Sequence, residues 1–245
     1  MSRTPHQRAL LRRTALALCL IGTGGFQGAR LVQVRLGLDS AYPVSVVLVF
    51  AAAAALVLAS VSSQHPFTRF GPANGVTSVR LMLTSLVAGL ALEGRSDGVS
   101  IVAATVALVA TLLDGLDGWL ARRTGLASAF GARFDMETDA LLILVLAVVA
   151  WQHERAGGWI VLAGAMRYLF VLAGYGWAWM NAPLPASQRR KAVCVVQIVG
   201  LGLIVSPLMA PPVSIAAAAI TLILLTWSFG VDVRWLYQHR GMQVA

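Results

Sequence analysis

The chain has 245 residues, of which 58% are hydrophobic and only 12% charged, against roughly 25% charged in an ordinary soluble domain. With a mean hydropathy of +0.76, that excludes a soluble enzyme and a disordered chain, and several uncharged runs approach the roughly 20 residues that cross about 30 Å of hydrocarbon. The net charge of +9 comes from 19 Lys+Arg against 10 Asp+Glu, a surplus that suits anchors beside anionic lipid in the bilayer better than a nucleic-acid surface.

An all-α, polytopic membrane helical bundle is therefore expected. Long apolar runs bounded by Gly, Pro and charge place spans near 14–34, 43–61, 74–92, 98–120, 131–151, 159–179, 192–209 and 213–231. The first is the weakest, because Gly22, Gly24, Gly25 and then Arg30 follow its short Thr14–Ile21 core. A signal peptide, an interfacial helix and a tilted span all fit it, and an uncleaved helix is preferred because no A-x-A cleavage site follows. With both termini inside, thirteen bases are cytoplasmic (Arg3, Arg8, Arg12, Arg13, Arg69, Arg122, Arg123, Arg133, Arg189, Arg190, Lys191, Arg234 and Arg240) and four lie outside (Arg30, Arg35, Arg95 and Arg155). The positive-inside rule then sets the topology. Trp119, Trp151, Trp159, Trp177, Trp179 and Trp235 fall near span ends, as an aromatic belt does. Cys19 and Cys194 lie inside apolar runs, and His6, His65, His153 and His239 are scattered singly. Neither a disulfide scaffold nor a zinc site is expected.

Of the ten acids, five lie between Asp114 and Asp139. An aspartate at the bilayer centre costs about 2.5–3.5 kcal/mol on insertion scales, so such a cluster needs compensation, and a bound divalent cation is the natural one. Asp114 and Asp117 are spaced i, i+3, and Asp135 and Asp139 i, i+4, which puts each pair on one helix face. At roughly 1.5 Å per residue, an antiparallel hairpin turning around 123–130 brings the four to similar depth, about 6–14 Å inside the cytoplasmic ends of its helices. Glu137, two residues from Asp135, points elsewhere and is read as a non-ligand. Four facing carboxylates suit Mg²⁺ or Mn²⁺, and a pair of such ions can clamp phosphoryl oxygens during a displacement. Gly118, Gly131 and the small Ala121 allow close approach, while Arg122 supplies a fixed cation for phosphate. Helix-end charges paired with Arg122, Arg123 and Arg133 are the bland alternative, improbable for four aspartates together.

Written as D-x2-D-G-x2-A-R-x8-G-x3-D-x3-D, this stretch resembles the signature of the CDP-alcohol phosphatidyltransferase family at all eight fixed positions: Asp114, Asp117, Gly118, Ala121, Arg122, Gly131, Asp135 and Asp139. Upstream, Asn74-Gly-Val-Thr77-Ser-Val-Arg80 is similar to the opening of that family's first core helix. The resemblance covers about 71–235, a six-span catalytic core; 1–70 is an N-terminal extension with one or two membrane helices and 236–245 a cytoplasmic tail.

The resemblance implies transfer of a phosphatidyl group from CDP-diacylglycerol to an alcohol, with CMP leaving, in a cavity open to the cytoplasm. By it, Asp114, Asp117 and Asp135 hold the metal pair. Asp139 contributes to the second metal and is the base for the acceptor hydroxyl. Asp117, Gly118, Ala121, Arg122 and Gly131, with Asn74 and Thr77, bind the CDP moiety. A homodimer in a bacterial inner membrane is implied as well.

Family members that use glycerol 3-phosphate or inositol phosphate place bases in two further regions, which correspond here to Arg167 in the sixth span and Arg189, Arg190 and Lys191 at the start of the seventh. A buried Arg167 has no obvious anionic partner once the motif aspartates are committed to metal, so a phosphorylated acceptor is favoured. The competing readings are an ion pair for Arg167 and a membrane anchor for Arg189–Lys191. An unphosphorylated acceptor such as serine, inositol or choline also stays open, because Lys191-Ala-Val-Cys replaces the Gly-Lys-x-Lys-Thr stretch of glycerophosphate enzymes. Arg80 and Asn74 divide evenly between site and structure, since an arginine near a span end can snorkel. Asp232 is expected to pair with Arg234 or a neighbouring helix. An intramembrane prenyltransferase carries its acidic motifs far apart, and a cation carrier spreads its acids across the membrane depth, so both are remote alternatives.

Overall fold

A computed structural model describes residues 5–240. Its helices are α1 (Pro5–Leu36), α2 (Tyr42–Gln64), α3 (Pro72–Leu90), α4 (Asp97–Thr124), α5 (Ala129–Gln152), α6 (Val161–Gly176), α7 (Gln188–Val205) and α8 (Val213–Gln238), with short 3-10 turns at Gly158–Ile160 and Ala178–Asn181. No strand occurs among the described residues. Arg3 and the last five residues of the expected tail lie outside them.

The helix starts follow local chemistry. Ser96, Ser128 and Ser187 cap α4, α5 and α7, each side chain accepting from a backbone N–H three residues on, and α2 and α3 have proline in the first turn. Gly125 ends α4 at φ +65°, the left-handed region that glycine enters most readily.

Five helical segments are long and apolar enough to cross a membrane: α1, α2, α4, α8 and α6 with the turn before it. The sequence expectation has eight spans, with only the first set apart as weak. The other three, α3, α5 and α7, carry Arg80, Asp135, Asp139 and Arg189–Lys191 beside the α4 aspartates, and the bundle supplies what their composition lacks. α3 packs against α1, α2, α4 and α5, and α5 against α3, α6 and α7. On α3, Ser78, Thr84 and Ser85 donate to the carbonyls of Asn74, Arg80 and Leu81. These local bonds satisfy their buried hydroxyls without an outside partner.

The expected first segment, 14–34, is one continuous helix of 32 residues, about 48 Å long at 1.5 Å per residue. It docks on α2 and α3, and a Cβ on Gly25 would lie 2.1 Å from Met82 Cε. A Cβ on Gly164 of α6 would lie 2.1 Å from the Leu144 Cα of α5, where backbone cannot give way, so that contact needs glycine, whereas the flexible Met82 tip beside Gly25 can swing aside. Lipid tails give no hydrophobic drive between helices, and backbone approach of this kind carries their association. α8 runs seven residues past the expected span end, so it includes Asp232 and the first three residues of the expected tail.

Candidate active site

Arg80 stands at the centre of the acidic cluster. Fully buried on α3, its Nη1 lies 3.1 Å from Asp114 Oδ1 and 2.8 Å from Asp117 Oδ2. Nη1 also donates to Asp135 Oδ1, and Nη2 to Asp139 Oδ1. The α4–α5 hairpin thus brings both pairs together as helix spacing requires, at the end of the bundle where α3 and α5 begin and α4 ends. One guanidinium faces four carboxylates, which leaves a negative surplus when all are ionised.

The four are not equivalent. One oxygen each from Asp114, Asp135 and Asp139 lies within 4.8 Å of the others, and these side chains keep 31%, 35% and 14% exposure. Asp117, at 6%, stands apart from that trio and accepts from Thr77 Oγ1 at 3.1 Å as well as from Arg80. Three hard oxygen donors on two facing helices, partly exposed and with surplus negative charge, fit a divalent metal ion. Asp139 has one further contact, from Cys194 Sγ on α7 at 3.5 Å to its Oδ2.

Beside the carboxylates, Asn74 donates to the Phe70 carbonyl at 2.5 Å. A Cβ on Gly131 would fall 2.9 Å from Asn74 Oδ1, so glycine lets α5 start against α3. On α4, Arg122 folds back along its helix until Nη1 lies 3.4 Å from a Cβ placed on Gly118. Ala121 is half-buried and Arg122 exposed. Asn74, Thr77, Asp117 and Gly131 therefore gather on the buried side of the cluster, and Arg122 lies toward the open one.

The basic residues of α6 and α7 are placed differently from the sequence expectation. Arg167 is not short of an anion: its Nη2 donates to Glu137 Oε1 at 2.5 Å, although its buried Nε finds no partner. Glu137 turns from the aspartate cluster to Arg167 on α6. Arg189 binds Asp232 Oδ1 at 2.5 Å and the Ser228 hydroxyl at 2.6 Å, and Arg190 reaches the same Asp232 oxygen at 3.2 Å. Asp232 thus pairs with a neighbouring helix, not with Arg234. Lys191 is exposed.

Sequence reasoning left the hub role of Arg80 open and missed Cys194. The signal for Arg80 was present, since an arginine deep in an apolar helix needs anions, and the nearest supply was the acidic hairpin. Nothing in the sequence pointed to Cys194, whose contact depends on how α7 docks.

The profile of the CDP-alcohol phosphatidyltransferase family matches residues 70–231. A probable phosphatidylglycerophosphate synthase of Mycobacterium tuberculosis, strain CDC 1551 / Oshkosh, is 32% identical over 166 residues, 65% of this chain and 78% of that protein. The protein of the same name from strain ATCC 25618 / H37Rv matches to the same extent. Prenyltransferase and non-catalytic readings of the acidic cluster are set aside by this agreement. The chain belongs to the CDP-alcohol phosphatidyltransferase family and is a membrane-embedded enzyme of phospholipid biosynthesis that transfers a phosphatidyl group.

Proposed function

We propose that the protein transfers the phosphatidyl group of CDP-diacylglycerol to a phosphorylated polyol, glycerol 3-phosphate first and inositol phosphate second. The observation that carries the chemistry is the convergence of Asp114, Asp135 and Asp139 oxygens within 4.8 Å around the Arg80 guanidinium. In the transfer, the acceptor oxygen forms a bond to the lipid-side phosphorus, the bond from that phosphorus to the CMP oxygen breaks, and CMP leaves with the electron pair. Asp139 takes the acceptor's proton through the carboxylate that Arg80 and Cys194 hold in place. Asp114, Asp135 and Asp139 would hold the divalent cations, a pair of them if Asp117 completes the set. Bound there, such ions neutralise the pyrophosphate and stabilise the charge developing on it. Asn74, Thr77, Asp117, Gly118, Ala121, Arg122 and Gly131 receive the CDP moiety.

Two findings support a phosphorylated acceptor. The relatives matched above are named phosphatidylglycerophosphate synthases, and Arg189, Arg190 and Lys191 cluster at the start of α7. Arg167 contributes through the face not engaged by Glu137. One observation favours the other reading: Arg167, Arg189 and Arg190 each already have a carboxylate, as a site for neutral or zwitterionic alcohols allows. Purified protein with CDP-diacylglycerol and Mn²⁺, offered glycerol 3-phosphate, inositol phosphate, serine, inositol and choline separately, decides between them by CMP release. Preference for an unphosphorylated alcohol overturns the acceptor assignment, and full turnover in excess EDTA overturns the metal assignment.

The same proposal puts the 71–235 core in a bacterial inner membrane as a homodimer, with the site facing the cytoplasm. A cysteine at exposed Thr124, in a background lacking Cys19 and Cys194, should resist an impermeant thiol reagent in intact cells and react after permeabilisation. Chemical cross-linking in native membranes should trap a dimer band.

A further inference from the structure

His65 lies in the segment between α2 and α3, before the first residue that the family profile matches, yet it is buried against the start of the catalytic hairpin. Its Nε2 lies 2.8 Å from the Arg69 carbonyl and its Nδ1 3.1 Å from Ser128 Oγ. A carbonyl only accepts, so Nε2 carries the hydrogen, and Nδ1 of the neutral ring accepts from the Ser128 hydroxyl. Ser128 Oγ accepts in turn from the Gly131 N–H at 3.0 Å. Every donor in this chain has an acceptor. The ring also packs edge-on against Phe67 and Phe130, both centroids at 5.5 Å.

The chain of bonds ends at the glycine whose Cα faces Asn74 Oδ1. Asn74 is in turn fixed by the Phe70 carbonyl, five residues after His65. One histidine thus ties the segment that leads into α3 to the capping serine of α5, and so holds the gap between Asn74 and Gly131 from both sides.

We propose that His65 is a positioning residue for the donor substrate, acting through Ser128 and Gly131 to set the width of the nucleotide pocket between α3 and α5. The inference rests on the reading that Asn74 and Gly131 line that pocket. It predicts a change in donor binding more than in chemistry, since Asp135 and Asp139 lie deeper on α5 and are held by Arg80 independently.

The test uses full-length protein in mixed micelles and compares wild type with His65→Phe, His65→Asn, Ser128→Ala, the His65→Phe/Ser128→Ala double variant and Gly131→Ala. KM for CDP-diacylglycerol, kcat and Tm are read for each. His65→Phe keeps the ring contacts and removes both hydrogen bonds, and should raise the donor KM about tenfold, the worth of one or two such bonds, with kcat nearly unchanged. His65→Asn, whose amide replaces Nδ1, should recover most of the loss. The double variant should be no worse than Ser128→Ala alone, because both substitutions cut one chain. An unchanged donor KM in His65→Phe, a fall in kcat alone, no recovery by asparagine, or losses that multiply in the double variant each overturn the inference. Should His65→Phe not fold, a raised donor KM in Ser128→Ala beside a near-normal one in His65→Asn supports it, and any other pattern overturns it. Gly131→Ala separates the two levels. If it raises the donor KM while His65→Phe does not, the pocket reading stands and the role of His65 falls; if neither moves it, both fall.

Discussion

The two ends of the same helices treat charge in opposite ways. At the end where α4 meets α5, Arg80 is fully buried and faces four aspartates. At the other end, Arg95 pairs with Glu154 at 2.6 Å, but the two side chains keep 56% and 75% of their exposure. Other contacts there tie helix ends and loops together: Gln152 donates to the Ala91 carbonyl, Arg155 to the Met209 carbonyl, and Ser100 meets His153 at 3.0 Å. An exposed pair contributes about 0–1 kcal/mol, whereas taking ions out of water costs several kcal/mol per ion before any pairing offsets it. A fold gains nothing in stability by concentrating acids at one buried end. On the proposed function, the asymmetry marks the site where the acids have chemistry to do.

The sharpest way to break this comparison is to remove one acid from the buried end. Asp135→Asn takes away charge and keeps volume, and should reduce CMP release to background while expression and Tm stay near wild type. A variant near the wild-type rate would show that Asp135 is structural. Arg80→Met should act on the fold first. It leaves four carboxylates without their cation, and breaking a buried ion pair in this way costs about 3–5 kcal/mol. Added Mg²⁺ or Mn²⁺ should then raise Tm far more in Arg80→Met than in wild type, because the ion replaces the lost positive charge. Equal shifts in both proteins would mean that the cluster does not hold the ion.

How much of this was legible beforehand follows from the range of each interaction. Spacings of three and four residues put Asp114 with Asp117, and Asp135 with Asp139, and a short loop between long helices brought the pairs together. The serine caps of α4, α5 and α7 are equally local, but the apolar runs alone set the expected span bounds and did not use them. Pairings between helices distant in sequence were not legible. Glu137 meets Arg167 across 30 residues, and Asp232 meets Arg189 across 43, and no periodicity says which faces of α5 and α6, or of α7 and α8, will touch. The apparent lack of a partner for Arg167 came from that gap. Composition likewise could not separate α3, α5 and α7 from the apolar spans, because what keeps them in the bundle is packing against their neighbours.

Between the two ends, in degree of burial, lie the α7 arginines, which sharpen the comparison at intermediate cost. If Arg190 takes an acceptor phosphate, Arg190→Ala removes a charged hydrogen bond of about 1.5–3 kcal/mol, and the KM for glycerol 3-phosphate should rise by about one to two orders of magnitude. Arg167→Ala should raise it less, since Glu137 engages that guanidinium alone at 2.5 Å, whereas Arg190 shares Asp232 with Arg189 and sits 3.2 Å from it. CDP-diacylglycerol KM should move little in either. An unchanged acceptor KM in both variants would make these residues partners of Asp232 and Glu137 and nothing more.

The smallest effect belongs to the end opposite the aspartates and concerns pH. Burial, and then the nearby Arg155 and Arg95 cations, hold His153 below its ordinary value near 6.5. The folded protein therefore prefers the neutral ring more than the unfolded chain does. That contribution to stability is fully present above the unfolded pKa and is lost as pH falls through the depressed folded value. Tm should accordingly drop as pH goes from about 7.5 to about 5.5, and drop less steeply in His153→Gln, which keeps a polar group near Ser100 and cannot take up the proton. The carboxylates that titrate over the same range are common to both proteins and cancel in the difference between the two slopes. Parallel slopes would mean that His153 gains its proton equally well in the folded and unfolded states.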